Sequence, residues 1–499
     1  MTGLRTRFNF LGTADRPSLA DLFSADENRV ASFSLEEQDI YFDFSKTHLT
    51  PELVTSFTRA ITDAGLESRR DDLFGGRIAN PTEGRAAEHT AERGEGAADS
   101  VARAKLLHSR MRGLIEAIEA EALGEIRHIL HIGIGGSALG PDLLVDALGR
   151  DAGRYDVAVV SNVDGAALKE AIARFDPHKT LLVIASKTFT TSETMLNAES
   201  ALSWMIEAGV DDASGRVIAL TANPEGAFDW GVDETRILPF SDTVGGRYSL
   251  WSSIGFPAAL ALGWAAFEEL LEGAAAMDRH FRLAPLHRNA PVLAAFVDQY
   301  YSLGRGAETR AVFAYDERLR LLPSYLQQLE MESNGKRVTL SGDALDGECG
   351  AIIWGGVGTD AQHAVFQLLH QGTRLVPVEF VASVEPGHEF DDGHHRQLLG
   401  NCFAQGAALM AGRGHEDGAR AYPGDRPSTT ILLEQLDPRS LGALIAFYEH
   451  RTFANAVLLG INPFDQFGVE LGKEMAKAIE GGNMVFDAST QALIARAFD

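Results

Sequence analysis

The sequence predicts an α/β fold of two doubly wound, parallel-sheet domains in tandem, preceded by a helical extension and followed by a helical tail. Short apolar runs recur at 129–132, 157–160, 181–185, 217–220 and 237–238, with helical periodicity between the first pairs, as in 166–175. A second series stands at 311–314, 352–354, 375–380 and 430–433. Glycine-rich and hydroxyl-rich stretches follow directly behind two of these runs, where an open parallel sheet binds ligands at the carboxyl ends of its strands. The divisions expected are 1–100 (helical N-terminal extension), 101–290 and 291–450 (the two α/β domains) and 451–499 (helical tail).

Taken in order, Thr50 and Pro51 make an N-cap with proline at the first helical position; Leu53, Val54, Phe57 and Ile61 form one apolar face, and Gly65 ends it. The stretch 77–100 is rich in Gly and acids and reads as a connection, and Asn80-Pro-Thr-Glu-Gly-Arg85 within it suggests no chemistry. The run 254–267 contains Gly and Pro and is shorter than the roughly 20 residues of a bilayer span, so it reads as a buried helix. No apolar signal segment follows Met1–Asn9. A net charge of −26 argues against nucleic acid and makes any local basic cluster informative. Two cysteines, Cys349 and Cys402, supply neither a disulfide framework nor a zinc pattern, which fits a reducing cytoplasm. His388, Glu389, Asp391, Asp392, His394 and His395 read as an exposed loop rather than a metal site, and no metal or organic cofactor is expected.

The chemistry-bearing stretches follow the same order. In 131–141, Gly133, Gly135 and Gly136 permit a tight turn close to a ligand, and Ser137 adds a hydroxyl. The stretch superficially matches a dinucleotide fingerprint, but the acid expected near twenty residues on is missing, which disfavours an NAD-linked dehydrogenase. In 181–194 an apolar strand breaks into Ser186, Lys187, Thr188, Thr190, Thr191 and Thr194 before a helix capped by Thr190, Thr191 or Ser192. Hydroxyls, free backbone N–H groups and the positive helix end converge there, a cup better suited to phosphate than to carboxylate. A glycine turn beside it suggests a phosphorylated sugar. Gly245 and Gly246 present Arg247, whose permanent charge can stabilise an oxyanion. Glu332, beside a Ser-Asn-Gly turn, is a plausible proton carrier, and nothing local selects it over Glu330. His363 falls in the first turn of a helix capped by Thr359 or Asp360, whose Val365, Leu368 and Leu369 are expected to face the core. Lys473 follows Gly472 near the C-terminus.

In this order, Gly133–Pro141, Ser186–Thr194, Gly245–Ser252, Met331–Lys336, Gly358–Thr373 and Phe464–Lys473 resemble the phosphoglucose isomerase family over about residues 80–480. The resemblance implies two sugar-isomerase (SIS) domains, interconversion of glucose 6-phosphate and fructose 6-phosphate without a cofactor, and a homodimer whose sites borrow residues across the interface. It assigns the phosphate to Ser186, Lys187, Thr188 and Thr191 with Gly136 and Ser137 alongside. Glu332 becomes the base, His363 and Lys473 assist ring opening, Arg247 steadies the enediolate, and Gln328 and Gln466 orient hydroxyls. Ala138 and Phe467 depart from the usual aspartate and tryptophan. The alternatives are an isomerase that also accepts mannose 6-phosphate and a sugar-phosphate sensor without turnover; Glu332, His363 and Lys473 together argue against the sensor, which needs only the cup.

Overall fold

The computed structural model describes residues 3–13, 16–150, 154–482 and 484–498. Its strands are β1 Ser34–Glu37, β2 Ile40–Asp43, β3 Ile78–Asn80, β4 Arg85–Ala86, β5 His128–Gly133, β6 Asp156–Val160, β7 Thr180–Ala185, β8 Val217–Thr221, β9 Ile237–Pro239, β10 Thr309–Tyr315, β11 Ile352–Val357, β12 Val378–Ser383 and β13 Ser428–Leu433. The first large sheet has the order β6-β5-β7-β8-β9 and is parallel throughout. All six residues of β7 are buried, as a strand covered by helices on both faces requires. The chain leaves β5 toward β6 and returns on its other side at β7, so the crevice between the ends of β5 and β7 is a topological switch point. Gly133 of β5 lies level with Ala185 of β7, so the glycine turn and the hydroxyl stretch leave the sheet side by side.

The second large sheet has the order β1-β2-β13-β12-β10-β11. Strands β10 to β13 are parallel, and β1 and β2 form an antiparallel hairpin on β13. Alternation along the strands divides the core. Leu181, Val183, Val312 and Val381 belong to one apolar core between the sheets, whereas Leu182 and Ile184 pack on the outer face of the first sheet and Phe313 and Phe380 on that of the second. Each such side chain contributes about 1.5–3 kcal/mol on burial. Between the sheets the helices Trp264–Leu283 and Pro438–Leu459 cross closely. A Cβ at Gly442 would stand 2.0 Å from the Leu270 carbonyl oxygen, so only glycine fits. No described helix is long and apolar enough to cross a membrane.

The structure departs from the expected elements at several places. Residues 1–100 are not only helical, because β1 and β2 extend the second sheet. Their turn places Gln38 and Asp39 at φ 54° and 57°, which the usual Asn-Gly signal does not announce. The stretch 77–100 is no loose connection: Asn80, Glu88, His89, Glu92 and Arg93 are buried. The strand expected at 375–380 runs Val378–Ser383, because Pro377 has no N–H to offer the ladder. The run 254–267 is broken at Gly263, φ 88°, between helices Phe256–Leu262 and Trp264–Leu283. The division at 450 cuts the buried helix Pro438–Leu459, and the exposed helices Glu470–Gly481 and Ala488–Phe498 follow it.

Candidate active site

The hydroxyl cup begins where β7 ends. Ser186 N–H bonds the Leu220 carbonyl at 3.0 Å, the Ser186 and Thr191 hydroxyls are 3.1 Å apart, and Phe189, at φ 55°, donates its N–H to Ser186 Oγ at 3.1 Å. Thr191 is the N-cap of the helix Ser192–Glu207, and its hydroxyl is not used on that helix's own N–H groups. Thr188, Thr190, Thr191 and Ser192 line a recess of about 410 Å³ that Lys473 and Lys477 face from the helix Glu470–Gly481. The free N–H groups and positive end of a sixteen-residue helix thus open onto hydroxyls and two ammonium groups. The Lys187 ammonium points the other way, donating to the carbonyls of Asp242 (2.5 Å) and Val244 (3.2 Å).

The glycine turn lies against the stretch that carries Arg247. Gly135 has φ 58° and packs against the Gln328 amide; a Cβ on Gly136 would stand 2.2 Å from the Gly246 carbonyl carbon and 2.6 Å from Arg247 N. His131 sits under the turn. Burial draws its pKa down to about 4, so the neutral imidazole donates from Nε2 to the Ser137 carbonyl at 2.7 Å. Gly136→Ala is expected to destabilise the fold by about 1–3 kcal/mol, as overpacking does, read as a lower chemical-denaturation midpoint. An unchanged midpoint would mean that the two turns can separate freely.

Glu332 stands in a second, larger space of about 1100 Å³, lined also by Gln328, Lys336, Asp465, Gln466 and Phe467. A π-helical turn over Gln327–Glu332 carries both glutamates, and their surroundings differ. Glu330 is buried against the Arg310 guanidinium, while Glu332 opens to the cavity. Glu332 Oε1 lies 3.6 Å from Arg247 Nη1, and its buried Oε2 has no hydrogen-bond partner among the described residues. Arg247 is itself held by Ser333 Oγ (2.7 Å), Gln466 Oε1 (3.1 Å) and the carbonyls of Pro463 and Asp465. Lys336 adds a cation 2.7 Å from Asp465 Oδ1; burial lowers its pKa, opposed by the Asp465 carboxylate. A carboxylate with one free oxygen, facing fixed positive charge and paired amides, can carry a proton to and from carbon beside an oxyanion.

Of the residues singled out in the sequence, Glu332, Gln328 and Gln466 line this space, buried Arg247 reaches Glu332 from behind its wall, and Gly136 packs against the Gly246–Arg247 backbone. Ser186, Thr188 and Thr191 form the neighbouring cup. His363 lines neither space: it is exposed on the helix Asp360–Gln371, whose buried residues are Ala361, Phe366 and Leu369. Leu368, expected in the core, is 44% exposed. Sequence reasoning passed over Lys336, Asp465, Lys477 and Thr82. The first three lie in or beside recognised motifs, but only the fold turns them to the site. Among the described residues no group of three or more His, Cys, Asp or Glu side chains is arranged to hold a metal ion.

The family model for phosphoglucose isomerase matches residues 43–494. The chain is 72% identical over 498 residues to a glucose-6-phosphate isomerase of Rhizorhabdus wittichii, covering all of both chains. It is 68% identical over 480 residues to one of Sphingopyxis alaskensis, covering 96% of each. A crystal structure of a glucose-6-phosphate isomerase from Chlamydia trachomatis superposes with a TM-score of 0.91 at 30% identity, over 99% of both chains. With a match that spans both sheets and every stretch described above, the chain belongs to the phosphoglucose isomerase family.

Proposed function

We propose that the protein interconverts glucose 6-phosphate and fructose 6-phosphate, with Glu332 carrying one proton between C2 and C1 through a cis-enediol. The observation that carries this reading is the Glu332 carboxylate, one oxygen beside Arg247 and the other unpartnered, on the wall of a cavity large enough for an open-chain hexose phosphate. Isomerisation needs a single base that takes and returns a proton on one face, and fixed positive charge where the enediolate forms. Arg247 supplies that charge, with Lys336 nearby. Gln328 and Gln466 orient the sugar hydroxyls. The cup of Ser186, Thr188 and Thr191, backed by Gly136 and Ser137, holds the phosphate, whose binding energy is used to orient the reacting carbons.

Ring opening is assigned to His363 and Lys473. Because His363 is exposed and does not line Glu332's cavity, the reading takes a homodimer in which the partner's His363 completes each site. The helices Glu470–Gly481 and Ala488–Phe498, which bury no residue within one chain, support a second copy there. With both cysteines free and no need for metal or organic cofactor, we place the protein in the cytoplasm as an enzyme of glycolysis and gluconeogenesis. A coupled assay of fructose 6-phosphate consumption tests the reaction, and a parallel run with mannose 6-phosphate tests its breadth. No turnover of either sugar would sink the reading.

The Lys187 pKa sets an alkaline limit. Burial, and next the Arg85 guanidinium, lower it from 10.5 to about 8, against the opposing pull of Asp242 and Glu83. Below that value the charged ammonium holds the Asp242 and Val244 carbonyls behind the cup; above it the charge is lost. kcat/KM, which reports groups of the free enzyme, is therefore expected to fall above about pH 8. Lys187→Arg should move that limb beyond pH 10, because a guanidinium stays charged. An identical alkaline limb in Lys187→Arg would assign it elsewhere.

A further inference from the structure

The turn between β3 and β4 is the stretch from which the sequence yielded no chemistry, and the mechanism above leaves it unused. Its side chains reach both walls of the site. On one side, Arg85 Nη1 donates at 2.8 Å to the Asp242 carbonyl, the acceptor that Lys187 also uses, at the head of the turn that delivers Arg247. On the other, the Thr82 hydroxyl donates at 2.6 Å to Asp465 Oδ2 and accepts from Asn462 Nδ2 at 2.8 Å. Asn80, buried, takes the same Asn462 amide at 2.8 Å. The segment held in this way supplies the Pro463 and Asp465 carbonyls and the Gln466 amide that fix the plane of the Arg247 guanidinium.

We propose that the Asn80–Arg85 turn is a clasp that positions Arg247 and Gln466 against Glu332, with Thr82 and Arg85 as its positioning residues. The inference rests on the reading of Arg247 as the group that steadies the enediolate. A guanidinium is a rigid fork of donors, so its direction follows its acceptors. Besides Ser333 Oγ, those acceptors are the Pro463 and Asp465 carbonyls and the Gln466 side chain, all on a segment without regular structure that other side chains must hold. Asp465 does so from between Thr82 and Lys336. Without the Thr82 hydroxyl, Asp465 Oδ2 keeps only the Asn462 amide (2.9 Å) against Lys336, which donates to both the Asp465 carboxylate and its carbonyl, so that carbonyl shifts toward Lys336. A displacement of the order of 1 Å at a charge-stabilising group costs up to about 100-fold in rate.

The test measures kcat and KM for fructose 6-phosphate in the full-length wild type, Thr82→Val, Thr82→Ser, Arg247→Met and the double variant Thr82→Val with Arg247→Met. Thr82→Val is expected to lower kcat on the order of 10- to 100-fold with KM within about twofold. Thr82→Ser should restore it, and adding Thr82→Val to Arg247→Met should cause no further loss, because the clasp acts through Arg247. A raised KM with unchanged kcat, or the same fold-loss in the Arg247→Met background, would overturn the clasp and make Thr82 a direct substrate contact. Wild-type kcat in Arg247→Met would mean that the reading of Arg247 had failed, and the clasp with it. Wild-type kcat in Thr82→Val alone would end the clasp and leave Arg247 standing. If Thr82→Val melts below the assay temperature, Arg85→Met carries the same comparison from the other wall.

Discussion

Glu332→Gln is expected to lower kcat for fructose 6-phosphate by about 10³–10⁴-fold while leaving KM within about threefold, the signature of losing a proton carrier rather than a binding group. The amide has the size of the carboxylate and can still lie 3.6 Å from Arg247, so the cavity keeps its shape. What it lacks is a basic oxygen. In the proposed mechanism the carboxylate stays basic because its buried Oε2 has no hydrogen-bond partner among the described residues, whereas a carboxylate using both oxygens on protein donors would be a weaker base. Proton transfer also has its own readout. In heavy water the wild type should exchange the C2 hydrogen of glucose 6-phosphate with solvent, followed by NMR, and Glu332→Gln should not. Exchange at the wild-type rate in the variant would remove Glu332 from the mechanism, whatever happened to turnover.

How far the sequence could be read depended on the distance over which each signal acts. Strands β5, β7, β8 and β10 were legible because parallel strands buried along all or nearly all of their length are continuous apolar runs, and the two stretches at the switch point were legible because each is short and local. The hairpin of β1 and β2 was not, since its turn uses Gln38 and Asp39 at positive φ and its partner β13 lies some 390 residues away. The different surroundings of Glu330 and Glu332 were invisible locally. Arg310 captures Glu330 while Glu332 opens to the cavity, on a π-helical turn that no periodicity announces. The clasp was hidden for the same reason: Thr82 and Asp465 are 383 residues apart, and neither is unusual where it stands.

Two inactive chains, Glu332→Gln and His363→Ala, are expected to regain activity when mixed under conditions that exchange subunits, up to about a quarter of the wild-type value per site. The figure follows from symmetry. Random pairing makes about half of the dimers mixed, and in each mixed dimer one of the two sites combines an intact Glu332 with an intact His363. The geometry motivates the test: His363 is exposed, on a helix whose buried residues point to the second sheet, and it lines neither the Glu332 cavity nor the hydroxyl cup. Either His363 acts from a neighbouring chain, or its helix moves toward the cavity within one chain, or it takes no part in the reaction. His363→Ala alone separates these, because a bystander would leave turnover intact, whereas a ring-opening acid should cost about 10²–10⁴-fold on cyclic substrate. The mixing experiment then says whose histidine it is. If subunit exchange is verified by a size or affinity tag and no activity returns, each chain must use its own His363. The helix Asp360–Gln371 would then have to move toward the cavity within one chain during turnover.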